Sequence, residues 1–489
     1  MYDVIIIGGG VVGCAIAREL SRYRSRTLLL EKTNDICNGQ SKANTAIIHG
    51  GYDCKPNTLK AKFNVLGNAM FDQLHEELDV PVQWNTSLVV SFNKEDHPAL
   101  EKLLQQGIQN GCRGELRIID EEELRRREPN VGSTACEALL VGSGGIVCPY
   151  ELTTAFAENA AMNGAEFLRN ANVTKLRKLE NGHWQVVSSV GTFETRAVVN
   201  AAGAYSDVFN NMVSENKVHI RPRRGEYYIV DKKYRDVFHA AMFQLPTKMG
   251  KGILVAPTVD GTVLIGPTAE DIDDKEDKRT TAFGLAKTLR EAARTWEHIP
   301  TRAFITTFSG LRATGDKGDF VLGEPDDAPL FFNCCAVESP GLTSSPAIAK
   351  WMSGEIAGKL ELKENPDFNP IRKAIPKFRE MTAEEREAAI AANPDFGKVV
   401  CRCETVTEAE IREAEIREAI RRPVGALDID GIKRRTRAGM GRCQAGFCTP
   451  RTVEILAEEL GISPLEVTKF GGNSKLLQGY LFEEGKNHA

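Results

Sequence analysis

At 489 residues the chain is long enough for two to four domains, and a composition of 42% hydrophobic and 26% charged residues is that of a globular protein in water. A formal net charge of −5 excludes a sequence-wide attraction to nucleic acid or to anionic membrane. No apolar run approaches the roughly 20 residues that cross a bilayer, and the apolar N-terminus is too short and too glycine-rich for a signal peptide, so the sequence predicts a cytoplasmic protein that could still dock on a membrane through a partner.

The first stretch, Tyr2 to Gly13, reads strand, turn, helix. Val4, Ile5, Ile6 and Ile7 form the continuous apolar run of a parallel strand buried on both faces. Gly8, Gly10 and Gly13 follow in G-x-G-x-x-G spacing. The first glycine permits the tight turn, the second lets backbone approach a pyrophosphate, and the third lets the helix sit close to the strand. The helix N-terminus offers free N–H groups and a positive dipole end to phosphates. A second strand, Thr27 to Leu30, ends in Glu31, an acceptor for ribose hydroxyls. This order of parts predicts a dinucleotide site with Gly8, Gly10, Gly13 and Glu31 against the ligand.

A polar, turn-rich segment from Asn34 to Asp53 comes next and is a candidate cofactor-lining loop. Periodicity predicts helices over 58–79 and 97–110, a strand from Leu88 to Phe92, and a helix over 118–130 with its acids first. Residues 144–168 read as a turn and a long helix. Strands are predicted at Val173–Leu176, Trp184–Val187 and Ala197–Val199, the last running into the small residues Ala201, Ala202 and Gly203, where backbone could approach a bound dinucleotide. Three β-rich segments, 226–231, 252–258 and 262–268, and a charged helix over 280–295 suggest an antiparallel substrate domain inserted into the nucleotide-binding fold. Residues 347–360 read as the closing helix, and the charged, proline-interrupted stretch 361–396 as a linker.

Twelve cysteines in a cytoplasmic chain argue against a disulfide framework. Eight are scattered and read as small buried hydrophobes. The other four, Cys401 with Cys403 and Cys443 with Cys448, form C-x-C and C-x4-C pairs that suit a metal or iron–sulfur site. Zinc is the alternative, although structural zinc more often uses C-x2-C spacing. Arg402, Lys433, Arg434, Arg435, Arg437 and Arg442 flank the pairs, and cations there would stabilise an anionic [2Fe–2S] cluster. The bland alternative is that these basic residues are a solvated face.

With these motifs in hand, the first 360 or so residues resemble the FAD-dependent D-amino-acid-oxidase-like superfamily. Their nearest likeness is to glycerol-3-phosphate dehydrogenases and oxidases, with L-2-hydroxyglutarate oxidases as relatives. The last ninety resemble the bacterioferritin-associated-ferredoxin-like [2Fe–2S] domain. The resemblance implies an α/β chain with a Rossmann-like FAD-binding domain, an inserted antiparallel-sheet substrate domain and a small, mainly helical iron–sulfur domain. It divides the chain into an oxidoreductase domain over 1–360, a linker over 361–396 and a [2Fe–2S] domain over 397–489. FAD-binding parts fall near 1–80, 145–215 and 305–360, and substrate parts near 81–144 and 216–304.

The same resemblance assigns site residues. Segment 41–51 looks like a flavin-facing loop, with Ser41, Thr45 and His49 at the isoalloxazine. Lys251 stands in the place of a substrate-phosphate ligand, and Arg312 in that of the main anion clamp. Gly341, Leu342 and Thr343 fall at the flavin pyrimidine edge, and Ser344 within reach of substrate. Val173, Ala202 and Gly203 complete the cofactor contacts, and Cys401, Cys403, Cys443 and Cys448 ligate the cluster. The chemistry implied is oxidation of glycerol 3-phosphate to dihydroxyacetone phosphate, with His49 as base, hydride transfer to flavin N5, and electrons leaving singly through the cluster to a partner protein or quinone-linked subunit. Two other readings stay open: oxidation of a 2-hydroxy acid or an amino acid, and an electron-relay subunit of a larger complex.

Overall fold

The computed structural model describes residues 1–246, 252–414 and 424–479, and the chain divides into two compact units. The first comprises Met1–Lys32 and Ile36–Ala374, and the second Thr33–Asp35 with the chain from Ile375 onward.

The first unit carries two large sheets. One has eight strands around a parallel centre, in the order Val173–Lys178, Trp184–Ser188, Gly191–Asn200, Tyr2–Ile7, Thr27–Leu30, Glu166–Leu168. Phe331–Cys335 joins beside Gly191–Asn200, with Val321–Gly323 outside it. The long strand Gly191–Asn200 does two jobs: Thr195–Asn200 runs parallel to Tyr2–Ile7, while Gly191–Thr195 pairs antiparallel with Trp184–Ser188. The helices Val11–Leu20, Pro149–Met162 and Gly341–Leu360 pack together, and Leu59–Asn68 packs on the last of them. The opening strand is covered on both faces, with Val4, Ile5 and Ile6 fully buried. Each such side chain contributes about 1.5–3 kcal/mol of hydrophobic stabilisation.

The second sheet has nine strands and is antiparallel except where Ala241–Gln244 lies parallel to Ser87–Ser91. Its backbone is the pair Ile220–Val230 and Phe304–Gly315, in register from Ile220 opposite Gly315 to Val230 opposite Phe304. The antiparallel domain read from the sequence is therefore present, with that one parallel junction.

Local readings need three adjustments. The helix expected over 58–79 is two helices, Leu59–Asn68 and Phe71–Leu78, broken at Ala69 and Met70. The helix expected over 118–130 is a strand, Leu116–Asp120, then a short helix, Glu121–Arg127; Asp120 ends the strand by accepting the Glu123 N–H at 2.9 Å. The closing helix begins at Gly341, six residues early, because Pro346 falls inside its second turn without ending it. In the second unit, Val399–Cys401 pairs with Val406–Thr407, and the helices Ile429–Thr436 and Thr449–Leu460 surround the cysteine pairs.

Two glycines on facing helices predict effects of opposite sign. A Cβ at Gly67 would stand 2.0 Å from the Thr343 carbonyl oxygen, whereas one at Gly354, exposed in Gly341–Leu360, meets nothing within 4 Å. Gly67→Ala is expected to destabilise the protein by about 1–3 kcal/mol through overpacking, and Gly354→Ala to stabilise it by about 0.5–1 kcal/mol through helix propensity. Urea-unfolding midpoints of the two variants give the comparison.

Candidate functional site

The dinucleotide end is built from backbone at very short range. Gly8 has φ +109°, and a Cβ there would lie 2.5 Å from the Ala201 carbonyl oxygen. A Cβ at Gly13 would lie 2.1 Å from the Gly8 carbonyl oxygen, so the helix begins pressed onto the turn. Glu31 reaches back from the second strand and accepts the Gly9 N–H at 2.7 Å. The Glu31 backbone is fixed on both sides, donating to the Leu168 carbonyl and accepting from the Ala171 N–H. Ala202 and Gly203 follow Asn200 at the end of the parallel strand, and Gly203, at φ +57°, faces the Gln40 side chain. Val173 opens its strand and is buried. Ser41 stands at the helix start, where its hydroxyl accepts the Val11 N–H at 2.9 Å. These glycines, the paired acid and the helix N-terminus form a cradle that fits the pyrophosphate and ribose of FAD.

The second cluster of predicted residues centres on His49, which is 5% exposed. Its backbone is held by three side chains: its N–H donates to Thr343 Oγ1 at 2.9 Å, and its carbonyl accepts from Asn64 Nδ2 at 2.8 Å and Asn68 Nδ2 at 3.1 Å. Thr343 Oγ1 in turn donates to the Ile47 carbonyl at 3.2 Å. The imidazole lies 5.9 Å from the Phe243 ring, centre to centre. The closing helix thus brings Gly341, Leu342 and Thr343 onto the 41–51 loop. Ser344, one residue on, is fully buried, and its hydroxyl has no hydrogen-bond partner among the described residues. Thr45 is half-buried in the loop itself. Lys251 lies outside the described residues.

Arg312 comes to this loop on the strand Phe304–Gly315. A Cβ at Gly310 would stand 2.0 Å from the Ala43 carbonyl oxygen. Residues two apart on a strand share a face, so Arg312 presents to the same loop. Directly across the pair is Arg223. Arg223 binds Asp271 at 2.6 Å, and its neighbour Arg224 binds Glu270 at 2.6 Å and Asp277 at 3.0 Å. Arg312 has no carboxylate partner among the described residues; it lies against the Tyr227 hydroxyl, whose pKa burial raises and Arg312 partly offsets. Sequence reasoning missed Asn64, Asn68 and Gly310. The two asparagines lie four apart on the buried helix face with Ala61 and Phe63, and that burial is visible only in the fold.

The four cysteines converge in the second unit. Cys401 Sγ is 3.9 Å from Cys403 Sγ, which is 3.7 Å from Cys443 Sγ, and the Cys448 thiol is close enough to Cys401 to act on its pKa. Cys401 and Cys448 are buried, whereas Cys403 and Cys443 are half-buried. The chain bends tightly around them: a Cβ at Gly441 would lie 2.3 Å from Cys403 Sγ, and Gln444 and Ala445 adopt left-handed φ of 48° and 72°. Burial first, and then Cys401, push the Cys403 thiol up to about 11. The Cys403 thiol would therefore be neutral near pH 7, and a bound metal's charge would favour its thiolate. The donor set fits an iron–sulfur cluster.

The flanking cations require a correction. Arg434 and Arg435 are buried against Asp35, at 2.5 and 2.8 Å, and Arg437 is buried against Glu404 at 2.9 Å. They are internal ion pairs, neither a solvated face nor free counter-charge for a cluster. Only Arg402 and Arg442 of the six are exposed.

Comparison with known proteins finds a counterpart for each of the two parts of the chain. The profile of the FAD dependent oxidoreductase family matches residues 3–354, and that of the BFD-like [2Fe-2S] binding domain matches 399–458. The chain is 47% identical over 482 residues to a glycerol 3-phosphate dehydrogenase of Caloramator mitchellensis, covering 98% of each. Among solved structures it resembles a dithionite-reduced L-alpha-glycerophosphate oxidase from Mycoplasma pneumoniae with FAD bound, at TM-score 0.72 and 30% identity, covering 76% of this chain and 98% of that one. A glycerol-3-phosphate dehydrogenase from Bacillus halodurans shares the fold at TM-score 0.66 and 16% identity, over 95% of this chain and 91% of that one. No described helix is long and apolar enough to cross a membrane.

The Asp35 pairing gives a stability prediction. Burial alone would raise this carboxyl, but Arg435 and Arg434 outweigh it and hold it well below the ordinary aspartate range. Its contribution is therefore present above the unfolded value of about 4 and is lost as pH falls below it. Asp35→Asn leaves two buried guanidinium groups short of charge and is expected to cost about 3–5 kcal/mol. Urea unfolding of the second unit, followed through the cluster absorbance at neutral pH and again in acid, should show the gap between wild type and variant narrowing in acid.

Proposed function

The chain belongs to the FAD dependent oxidoreductase family, and on that footing we propose that it oxidises glycerol 3-phosphate to dihydroxyacetone phosphate and releases the electrons through its own cluster. FAD, when bound, accepts two electrons with a hydride, and the [2Fe–2S] cluster carries one electron at a time. The observation that carries the substrate reading is Arg312. It is a half-buried cation facing another arginine across the sheet, without the acid partner that each neighbouring arginine has. A substrate dianion is the counter-charge such a position calls for. Lys251 is the candidate second cation. The likeness to a glycerol 3-phosphate dehydrogenase along the full length of both chains supports phosphate over carboxylate.

In this reading Arg312 orients the phosphate, and His49 takes the proton from the secondary hydroxyl at an imidazole nitrogen. Thr343, Asn64 and Asn68 fix the His49 backbone so that the ring meets a substrate held in one pose. Thr45 and Ser344 offer hydroxyls to substrate. We assign the FAD-dependent oxidoreductase domain to 1–360, the linker to 361–396 and the cluster domain to 397–489. The electron acceptor is a partner protein or quinone-linked subunit of a cytoplasmic enzyme.

Anaerobic mixing with glycerol 3-phosphate, L-2-hydroxyglutarate, lactate, proline and glycine tests the assignment through loss of flavin absorbance. Glycerol 3-phosphate should bleach the flavin fastest. Faster bleaching by 2-hydroxyglutarate would reassign the substrate, and no bleaching by any of the five would point to a relay subunit. His49→Gln is expected to slow bleaching by about 10²–10⁴-fold at saturating substrate, the range for loss of a general base. Arg312→Ala should act chiefly through a weaker substrate affinity.

A further inference from the structure

The cluster-bearing unit carries one surface feature that substrate oxidation leaves unused. Phe447 is 81% exposed, the highest value among the large hydrophobic residues described, and it immediately precedes Cys448. It lines an open groove of about 370 Å³ with Val399, the cations Lys398, Arg402 and Arg451, and the carboxylate Glu408. Val399 is itself exposed. Of the charged groups around the groove, Lys398 pairs with Asp395 at 2.7 Å, and Arg451 is shared between Glu408 and Glu454 at 2.9 and 2.8 Å. Arg402 is exposed and has no ion pair among the described residues. It lies between Cys401 and Cys403, so an unpaired cation and an unpartnered aromatic each adjoin a cluster ligand in sequence. Cys403 and Cys443, the two half-buried ligands, are the edge of the cluster site nearest solvent.

We propose that this face is the docking site for a small acidic protein carrying a one-electron redox centre. The inference rests on the reading that electrons leave through the cluster, and adds where they leave and to what kind of acceptor. An aromatic and an arginine at the centre of a patch are the residue types that dominate interface energetics, and the unpaired positive charge selects an acidic partner. Arg402 and Phe447 are each one residue in the chain from a cysteine of the cluster site, so an acceptor seated on them is brought to that end of the unit. The balance follows from the substrate: oxidation of one secondary alcohol to a ketone releases two electrons and two protons. Two carrier molecules each gain one electron, and the protons go to solvent.

The test uses the full-length holoenzyme immobilised on a sensor surface, with oxidised flavodoxin and a plant-type [2Fe–2S] ferredoxin as acidic probes and cytochrome c as a basic one. Both acidic probes should bind at about 0.02 M salt and weaken markedly at about 0.2 M, as expected for screened charge. Arg402→Glu and Phe447→Ser should each weaken that binding about tenfold or more, and Arg126→Glu, an exposed arginine of the first unit, should leave it within about twofold. The visible absorbance of the cluster is measured in each variant, and Arg402→Gln replaces Arg402→Glu if the latter loses it. Absence of binding by both acidic probes at low salt, unchanged binding by the two variants, or preference for cytochrome c would each overturn the proposal. Flavin bleaching by glycerol 3-phosphate needs no carrier, so it reports the substrate reading separately. Failure of bleaching with binding intact overturns only that reading, and loss of binding with bleaching intact overturns only this one.

Discussion

Backbone packed directly on backbone is the constraint from which the first unit is built. The helix Val11–Leu20 can start where it does only because residues 8 and 13 have no side chains: the Gly8 carbonyl fills the space a Cβ at 13 would need, and the Ala201 carbonyl fills the space a Cβ at 8 would need. That contact joins three pieces of chain at one point, namely the first strand, its helix and the end of Gly191–Asn200. It aims the helix N-terminus into the space between them and leaves Glu31 close enough to bind the Gly9 N–H. A dinucleotide's phosphates are thereby matched to fixed dipoles, with little left to reorganise on binding.

The second sheet applies the same economy to charge. Arg221, Arg223 and Arg224 on Ile220–Val230 each have a carboxylate, and Arg312 on the facing strand has none among the described residues. Leaving a half-buried guanidinium without a counter-ion is unfavourable for the protein alone and favourable for a complex with an anion. Gly310, pressed on the Ala43 carbonyl, holds that strand against the loop that carries His49. The proposed anion site and the candidate base are thus tied together by a glycine, as the first helix and strand are by Gly8 and Gly13.

Features encoded by local sequence were legible before the structure. The strand–glycine–helix–strand order, the cysteine pairs and the helix over His97–Asn110 need only neighbours within a few tens of residues to be recognised. Three kinds of feature were not legible. Residues 118–120 look helical beside their acidic neighbours but are claimed as strand by pairing with Glu137–Leu139. The asparagines that hold His49 are buried polar groups whose partners lie 15 and 19 residues away in another element. Arg434 and Arg435 read as free charge because their acid, Asp35, stands about four hundred residues earlier in the chain. In each case the deciding partner lies in another element of the fold, and periodicity carries no information about it.

On the proposed reading Arg312 is an anion site that the substrate phosphate fills. Its most direct test is a titration of the oxidised holoenzyme with inorganic phosphate, which cannot reduce the flavin, following the shift in flavin absorbance in wild type and in Arg312→Gln. A saturable shift is expected in wild type and a shift weakened about tenfold or more in the variant, the loss expected for one charge-assisted contact. Equal phosphate affinity in the two proteins would contradict it.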